Sequence, residues 1–219
     1  MSYSIYVISN VPEKFPPIFH SLKPERVNFF DGSNFESFSK LVNTCVHSCP
    51  TETIIISSHK VMPKAEHVAK VLYLLEYGFA FVSLCNFRFF AFKKELFRRM
   101  GPFDERYVGG GFEDYDFCVR LVEADLASYI TTEVPCNHAP SSWGDYSYGM
   151  KVWSTKWKHT WQEGNPIPLS LERKWPEEQY NYDWGASTSI KYLSSKTHSY
   201  IWPDPHVEPF FKIIKIRQS

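Results

Sequence analysis

Two adjacent carboxylates follow a run of three glycines near the middle of the chain. Gly109, Gly110 and Gly111 form a loop in which the backbone can approach a ligand closely, because glycine has no Cβ. Glu113 and Asp114 come directly afterwards, at the start of a predicted helix. A carboxylate held on a rigid element beneath such a loop can accept the proton of a bound hydroxyl. The stretch therefore predicts a site for general-base chemistry.

The same acids also have an ordinary structural explanation. Helices favour acids in their first turn, because the amide dipoles stabilise negative charge there. At about 100° per residue, Glu113, Asp116 and Arg120 share a polar face of the predicted helix, whereas Asp114 falls at the flank of the apolar face. The glycines and the position of Asp114 favour the functional interpretation.

The elements before this stretch alternate between strand-like and helix-like patterns. Runs rich in β-branched and aromatic residues predict strands over 4–9, 26–30 and 53–57, and a longer strand-like stretch over 79–92. Helical periodicity predicts helices over 35–47, 65–77 and 93–100, the first capped by Ser33 or Asn34 and the second ended by Gly78. The alternation predicts an α/β fold with a mostly parallel central sheet.

Polar residues follow three of the predicted strands, and ligands of parallel sheets bind beyond the carboxyl ends of the strands. They are Ser9 and Asn10 after the first strand, Asp31 after the second, and Ser58 and His59 after the third. The sequence has neither a Walker motif nor a GxGxxG fingerprint, so no common nucleotide-binding loop is indicated.

The composition excludes several classes of protein. Lys plus Arg and Asp plus Glu are both 24, and this zero net charge argues against a nucleic-acid partner. No apolar run has the length of a membrane span and no signal peptide is evident, so we expect a cytoplasmic protein. The five cysteines contain no CxxC pair. The helical spacing of Cys45 and Cys49 favours two small residues on a helix over a ligand or redox pair.

Aromatic residues make up 17% of the chain, which suits either a thick core or a surface that stacks on flat rings. Beyond about residue 163 the sequence becomes rich in proline and tryptophan. We expect one domain over 1–162 and an irregular arm over 163–219 that packs on it.

The central stretch resembles a known family. Gly101 to Glu105, followed by Gly109 to Phe117 and then Arg120, is similar to the "GGFDE … GGEDxD … R" segment of GT-A-fold glycosyltransferases, which galactosyltransferase-type and many family 2-like bacterial and viral enzymes carry. The similarity extends over about residues 3–160. It implies a Rossmann-like GT-A domain that transfers a sugar from a nucleotide-sugar donor, most commonly a UDP-sugar, to a glycan or glycoprotein acceptor, with inversion. It also implies a small viral or bacterial enzyme, in the host cytoplasm if viral.

The resemblance implies a role for each matching residue. Asp114 would be the general base, and Glu113 would hold sugar hydroxyls. The donor would be held by residues at the strand ends and on the first helix: Ser9, Asn10, Asp31, Lys40 (with Asn43 nearby), Ser58 and His59. The acceptor would lie against Gly110, Gly111 and Trp143.

One departure from the family concerns the metal. Where the family has Asp-x-Asp, this chain has Ser57-Ser58-His59, without a carboxylate. Mn²⁺ or Mg²⁺ could still be held by His59 and His138, the latter resembling the family's strand-end histidine. Alternatively, His59 and Lys60 could neutralise the diphosphate directly.

Two further groups have alternative interpretations. A basic strip could meet phosphates or form a solvated helix face; it comprises Arg88, Lys93, Lys94, Arg98 and Arg99. Trp143, Tyr146 and Tyr148 could stack on a sugar or form a lid. The missing Asp-x-Asp also allows a non-catalytic relative that binds nucleotide or glycan. A hydrolase that uses Glu113 and Asp114 as a pair is disfavoured, because adjacent helical residues point about 100° apart.

Overall fold

A computed structural model describes residues 2–9, 27–124, 126–136 and 146–157 of the 219-residue chain. In chain order, the elements are β1 (Tyr3–Ser9), β2 (Val27–Asp31), α1 (Phe38–Ser48), β3 (Thr53–Ser58), α2 (Ala65–Tyr77), β4 (Phe81–Ser83), β5 (Phe89–Lys93), α3 (Glu95–Met100), α4 (Glu113–Glu123), β6 (Ser128–Ile130) and α5 (Tyr146–Trp157).

The strands form one six-stranded sheet in the order β2-β1-β3-β5-β4-β6. β1 pairs in parallel with β2 and with β3, and β4 pairs in parallel with β6. β5 runs antiparallel to both of its neighbours, β3 and β4. The predicted α/β fold with a mostly parallel sheet is therefore confirmed, and the reversed direction of β5 becomes important for the site.

Helices cover both faces of the sheet, as the alternation of side chains along a strand requires. Ile54 and Ile56 of β3 face a core that includes Leu41 of α1 and Phe117 of α4. Ile55 faces the opposite core, which includes Val68, Val71 and Leu75 of α2. The fold thus has three layers, helix on sheet on helix.

Most aromatics of the described part serve the core rather than a surface. Phe103 and Phe117 stack with their ring centroids 4.2 Å apart, and Phe92 and Phe97 do so at 4.8 Å. Both contacts are close enough for aromatic pairs to contribute beyond simple burial. They also join the loop before α4, α4 itself, α3 and the sheet into one packed unit.

Helix α2 begins and ends as predicted, with Gly78 in the left-handed region at φ +116°. Helix α1 starts later than predicted, and its N-cap is Ser37, whose hydroxyl accepts from the Lys40 backbone N–H at 3.2 Å. The predicted cap residues are used differently. Asp31 Oδ1 accepts the backbone N–H of Ser33 at 2.8 Å, so this segment forms a turn after β2.

The long strand predicted over 79–92 is two strands, β4 and β5, connected by a tight turn that contains Asn86 at φ +45°. The helix predicted from Lys93 begins at Glu95. The predicted domain boundary at 162/163 and the arm lie outside the described residues. Within the described part, no helix has both the length and the apolarity to cross a membrane.

Candidate active site

The carboxyl ends of three neighbouring strands meet at one edge of the sheet. Ser9 lies opposite Asp31 in the β1–β2 pair, and Ser58 lies opposite Ile8 in the β1–β3 pair. The turns beyond the strands are connected as well, because Gly32 N–H donates to Ser9 O at 2.6 Å and His59 N–H donates to Ile8 O at 3.0 Å. The structure therefore brings together Ser9, Asp31, Ser58 and His59, four of the strand-end residues that the sequence singled out.

Arg88 lies at this edge because β5 runs in the opposite direction and begins where β3 ends. The backbone N–H of Ser58 donates to Arg88 O at 2.7 Å. The Arg88 guanidinium Nη1 lies 3.4 Å from the Sγ of Cys136, which forms an isolated bridge with Val61 just beyond β3. Arg88 thus occupies the strand-end edge, which the sequence pattern alone could not show.

The rest of the predicted basic strip lies at the opposite edge of the sheet. Lys94 Nζ donates to the backbone carbonyl of Cys49, and Arg98 pairs with Glu52 at 3.1 Å. Lys93 lies opposite Thr53, at the start of β3. The basic residues are therefore not one strip: Arg88 belongs to the site, and the antiparallel course of β5 carries the others away from it.

The glycine loop has a backbone conformation that demands glycine. Gly109, Gly110 and Gly111 have φ values of +80°, +81° and +100°. Phe112 follows at φ +70°, a strained value for a large side chain. Phe112 is held by burial, its ring lying 6.1 Å from that of Trp153 on α5. The strain immediately precedes the two carboxylates of interest.

Helix α5 packs against the same loop at Gly149. A Cβ placed on Gly149 would lie 2.3 Å from the Gly111 carbonyl oxygen, closer than any real contact. The absence of a side chain there is therefore a requirement of packing, and α5 helps to set the position of the loop.

Glu113 is 9% exposed and its Oε2 has no hydrogen-bond partner among the residues that the structure describes. Burial, together with the neighbouring charge of Asp114, raises the pKa of Glu113 to about 8. A buried carboxyl oxygen without a partner is unfavourable for folding, and a strongly raised pKa of this kind makes Glu113 a candidate for a functional site.

Asp114 is partly buried beside it, and the backbone N–H of Tyr115 donates to Asp114 Oδ1 at 2.9 Å. Burial raises the pKa of Asp114 to about 6, although the Tyr115 N–H and the charge of Arg88 act in the opposite direction. Asp114 is therefore mostly ionised at neutral pH, and Arg88 lies close enough to influence its charge.

A second group of charges joins α4 to α5 and to the loop before α4, and its two acids are buried and paired. Asp116 Oδ2 accepts from Arg120 Nε at 2.9 Å, and Asp116 Oδ1 lies 2.6 Å from Lys156 Nζ on α5. Lys156 also contacts Asp104 at 2.7 Å, and Asp104 pairs with Arg106 at 2.6 Å. Of the polar helix face predicted from Glu113, Asp116, Arg120 and Glu123, Asp116 and Arg120 thus belong to a buried ion network, whereas Glu113 has no part in it.

This network was missed in the sequence, although a signal for it exists. Asp116 and Arg120 have the i,i+4 spacing of a helical ion pair. Arg120 Nη1 additionally donates to three carbonyl oxygens of the preceding loop, those of Met100, Gly101 and Pro102, at 3.2, 3.2 and 2.8 Å. The resemblance to "GGFDE … GGEDxD … R" thus includes residues whose part in this chain is to fix the loop and α5 to α4.

Three other residues were predicted to contact the nucleotide-sugar donor, and their contacts in the structure are as follows. Lys40 pairs with Glu36 one turn away on the exposed side of α1, at 3.7 Å. Asn43 is buried, and its amide donates to Phe103 O and accepts from Phe103 N–H at 2.9 and 3.0 Å, so it holds the loop before α4. The pKa of Asp31 is lowered by the backbone and side chain of Ser33, and its carboxylate is exposed at the strand-end edge.

Several predicted residues cannot be placed. Asn10, His138 and Trp143 lie outside the described residues. Tyr148, on the first turn of α5, is 44% exposed. Cys45, on α1, and Cys49, the residue that caps its C-terminus, are both buried, and burial raises the pKa of Cys45.

The described residues at the edge do not fit a divalent metal well. Ser57 is buried and donates to Ser58 O at 3.3 Å, while Ser58 Oγ accepts the Lys60 N–H at 3.2 Å. Hard cations prefer carboxylates, and here Lys60 and Arg88 bring positive charge instead. The described part of the chain contains no cluster of three His, Cys, Asp or Glu side chains suited to a metal.

The fold and site define an α/β protein with a polar, partly cationic strand-end edge, together with one buried and one partly buried carboxyl group at the start of α4. No protein-family model matches the chain, and no match is found among curated proteins. Among solved structures, the chain is similar to a mutant of Drosophila β-1,4-galactosyltransferase 7 in complex with manganese, UDP-Gal and xylobiose. The TM-score is 0.46 and the identity 16%, over 67% of this chain and 69% of that one.

Proposed function

We propose that this protein is a GT-A-type glycosyltransferase that moves a sugar from a nucleotide-sugar donor to an acceptor hydroxyl. The observation that carries the proposal is the placement of Glu113 and Asp114. Both are at the start of α4, directly after a loop of left-handed glycines, with Asp114 close to Arg88 at the strand-end edge. In an α/β fold that edge is where ligands bind.

Asp114 has the properties of a general base. Its pKa of about 6 leaves it ionised at neutral pH but more basic than an ordinary aspartate, which suits proton transfer under those conditions. As the acceptor oxygen forms its bond to the anomeric carbon, the hydroxyl proton passes to the Asp114 carboxylate. The bond between that carbon and the diphosphate oxygen breaks, and its electron pair leaves with the nucleoside diphosphate. Attack from the face opposite the leaving group inverts the anomeric centre.

Glu113 suits a different role, since a pKa of about 8 keeps it mostly protonated at neutral pH. A neutral carboxyl both donates and accepts hydrogen bonds. Its unpartnered Oε2 is therefore matched by a sugar hydroxyl, on the donor or on the acceptor. Gly110 and Gly111 let the backbone approach that sugar, and Trp143 would cover it.

The donor nucleoside would lie along the edge formed by Ser9, Asn10 and Asp31, with Ser58 and His59 beside the diphosphate. Lys40 would assist from α1. UDP is the first donor nucleotide to test, because it is the commonest in the family that the motif resembles. If a divalent metal takes part, His59 and His138 would be its ligands.

A second function is favoured by one specific observation. The strand that resembles the Asp-x-Asp strand of the family carries Ser57, Ser58 and His59, without a carboxylate. A relative that binds nucleotide or glycan without turnover would need no such motif. It would, however, have no need for two buried carboxylates, one with an unpartnered oxygen, and for this reason the transferase is the better supported function.

The test is a screen of nucleotide sugars for hydrolysis and transfer, followed by Asp114→Asn in the full chain. We expect turnover with at least one donor, and a loss of about 10²- to 10⁴-fold on substitution with donor affinity nearly unchanged. Glu66→Gln is the matched control, because Glu66 is an exposed first-turn acid on α2. Equal rates for all three proteins would make Asp114 an ordinary first-turn acid. Tight nucleotide binding without turnover of any donor would favour the binding protein.

A further inference from the structure

The strand-end edge contains two cationic side chains where the family that the motif resembles has acidic metal ligands. We propose that Arg88 and Lys60 together bind the diphosphate of the donor and stabilise it as a leaving group in place of a divalent metal. This inference rests on the proposed glycosyl transfer for its catalytic meaning, but diphosphate binding can be measured without it.

The position of Arg88 follows from the topology. β5 pairs antiparallel with β3, with Phe89 opposite Ser57, so the residue before β5 lies beside the end of β3. The hydrogen bond from Ser58 N–H to Arg88 O, at 2.7 Å, fixes the two backbones at this point. The guanidinium is partly buried and contacts Cys136 on the connection after β6. Arg88 is therefore built into the edge rather than attached to a mobile surface.

Lys60 is brought to the same place by the turn after β3. Its backbone N–H donates to Ser58 Oγ at 3.2 Å, and Val61 N–H donates to Ser58 O at 3.1 Å. The side chain is partly buried, and burial together with the nearby charge of Arg88 lowers the pKa of Lys60. Both residues therefore lie at the end of β3, where an anion bound at this edge would meet two positive charges.

The chemistry of the two side chains complements a diphosphate. Arginine presents a planar fork that can bind two phosphate oxygens at once, and lysine acts as a compact point charge. The positive charge of Arg88 also acts on Asp114, so the cationic edge lies within electrostatic reach of the proposed base. As the bond to the sugar breaks, the charge that develops on the diphosphate meets positive charge that is already in position.

The experiment is calorimetric titration of the full chain with UDP, GDP, dTDP and the three monophosphates, in EDTA and in Mn²⁺. We expect at least one diphosphate to bind in EDTA, about tenfold or more tightly than its monophosphate. Arg88→Ala should reduce that preference to less than about threefold, and Lys60→Gln should reduce it partially. Arg99→Ala is the control, because Arg99 is exposed on α3 at the other edge; it should leave both affinities unchanged.

Arg88→Gln keeps the length and polarity of the side chain and covers the case in which the alanine variant fails to fold. The inference is overturned if no diphosphate binds without Mn²⁺, or if the Arg88 variants keep the full diphosphate preference. The proposed function can fail separately. If the chain binds diphosphate through Arg88 but transfers no sugar, the diphosphate site stands and the glycosyltransferase function is wrong. If transfer requires Mn²⁺ and is unchanged in the Arg88 variants, the glycosyltransferase function stands and the diphosphate site is wrong.

Discussion

The first two turns of α4 contain two groups of acids that the fold treats in opposite ways. Asp116 is completely buried between Arg120 and Lys156. Glu113, one turn earlier, is almost as buried, yet its Oε2 has no partner among the described residues, and the adjacent Asp114 is only partly compensated. A buried acid whose oxygens are paired is part of the structure, whereas one with an unpaired oxygen is open to a ligand.

The acidic motif therefore contains residues with two different roles. Asp104, Asp116 and Arg120 fix the loop and α5 to α4, and the resulting frame sets the backbone from which Glu113 and Asp114 project. The ion network around Asp116 therefore positions Glu113 and Asp114. Substitutions can be chosen that affect either the network or these two acids.

The largest effect should come from removing the cation that the two matched acids share. Lys156→Met leaves Asp104 and Asp116 buried with less positive charge, and we expect the free energy of unfolding to fall by about 3–5 kcal/mol. Urea denaturation measures this loss. Lys151→Met, at an exposed position on the same helix, should change stability by less than about 0.5 kcal/mol. Similar free energies of unfolding for the two variants would show that the ion network does not stabilise the fold.

A smaller effect should come from Gly149→Ala, which acts on the glycine loop. Alanine favours the helix by about 1 kcal/mol, but its Cβ would lie 2.3 Å from Gly111 O, so α5 or the loop must move. We expect a net loss of about 1–3 kcal/mol and weakened ligand binding or turnover.

Gly78→Ala provides the contrast to this variant. Gly78 has φ +116° but open space around a Cβ, so alanine there should cost about 1 kcal/mol through backbone strain without any effect on the site. If Gly149→Ala also left ligand binding intact, the loop would not depend on α5.

Removing the unmatched acid should increase stability. The pKa of Glu113 is about 8 when folded and about 4.3 when unfolded, so the folded state holds its proton more tightly and stability falls as the pH rises between these values. Glu113→Gln should therefore stabilise the protein by about 1–3 kcal/mol at pH 8 and hardly at all near pH 4. Denaturation at both pH values, with the exposed Glu36→Gln as control, tests this. A loss of stability at pH 8 would show that Glu113 is matched after all.

The smallest effect is the pH dependence of turnover. Because Glu113 and Asp114 interact, the pair should titrate with apparent pKa values of about 6 and about 8. The rate should fall about tenfold per unit below the lower value, where the base is protonated, and decline above the upper value, where Glu113 loses its proton. Steady-state kinetics from pH 5 to 9 measure the profile. In Asp114→Asn the acidic limb should disappear from any residual activity.

Much of the fold could be predicted, because local patterns determine it. The helical repeat of Val68, Val71 and Leu75 and the glycine after it define α2 to the residue. The polar residues after β1, β2 and β3 predict the edge correctly, because parallel strands must end at the same side. The glycine run, the helical position of Asp114 and the motif single out Glu113 and Asp114 from the sequence, and their catalytic role stays a prediction.

The remaining features depend on contacts between distant residues. A strand pattern does not reveal direction, so the antiparallel course of β5, and with it the separation of Arg88 from Lys94 and Arg98, could not be seen. Helical periodicity treated Asp116 and Arg120 as a polar face, because a buried ion pair requires a partner, Lys156, from a different helix. The need for glycine at position 149 comes from Gly111, and no pattern within α5 shows it.

The order of the charges along the chain has a consequence for synthesis. Asp104, Asp116 and Arg120 are made before Lys156, so a growing chain presents two acids of the core while a shared counter-charge is still missing. The carboxylates of the site cannot be set in their final frame until α5 has been made and docked. A chain stopped before α5 would carry an incomplete core, because it would lack both Trp153 and the counter-charge of Lys156.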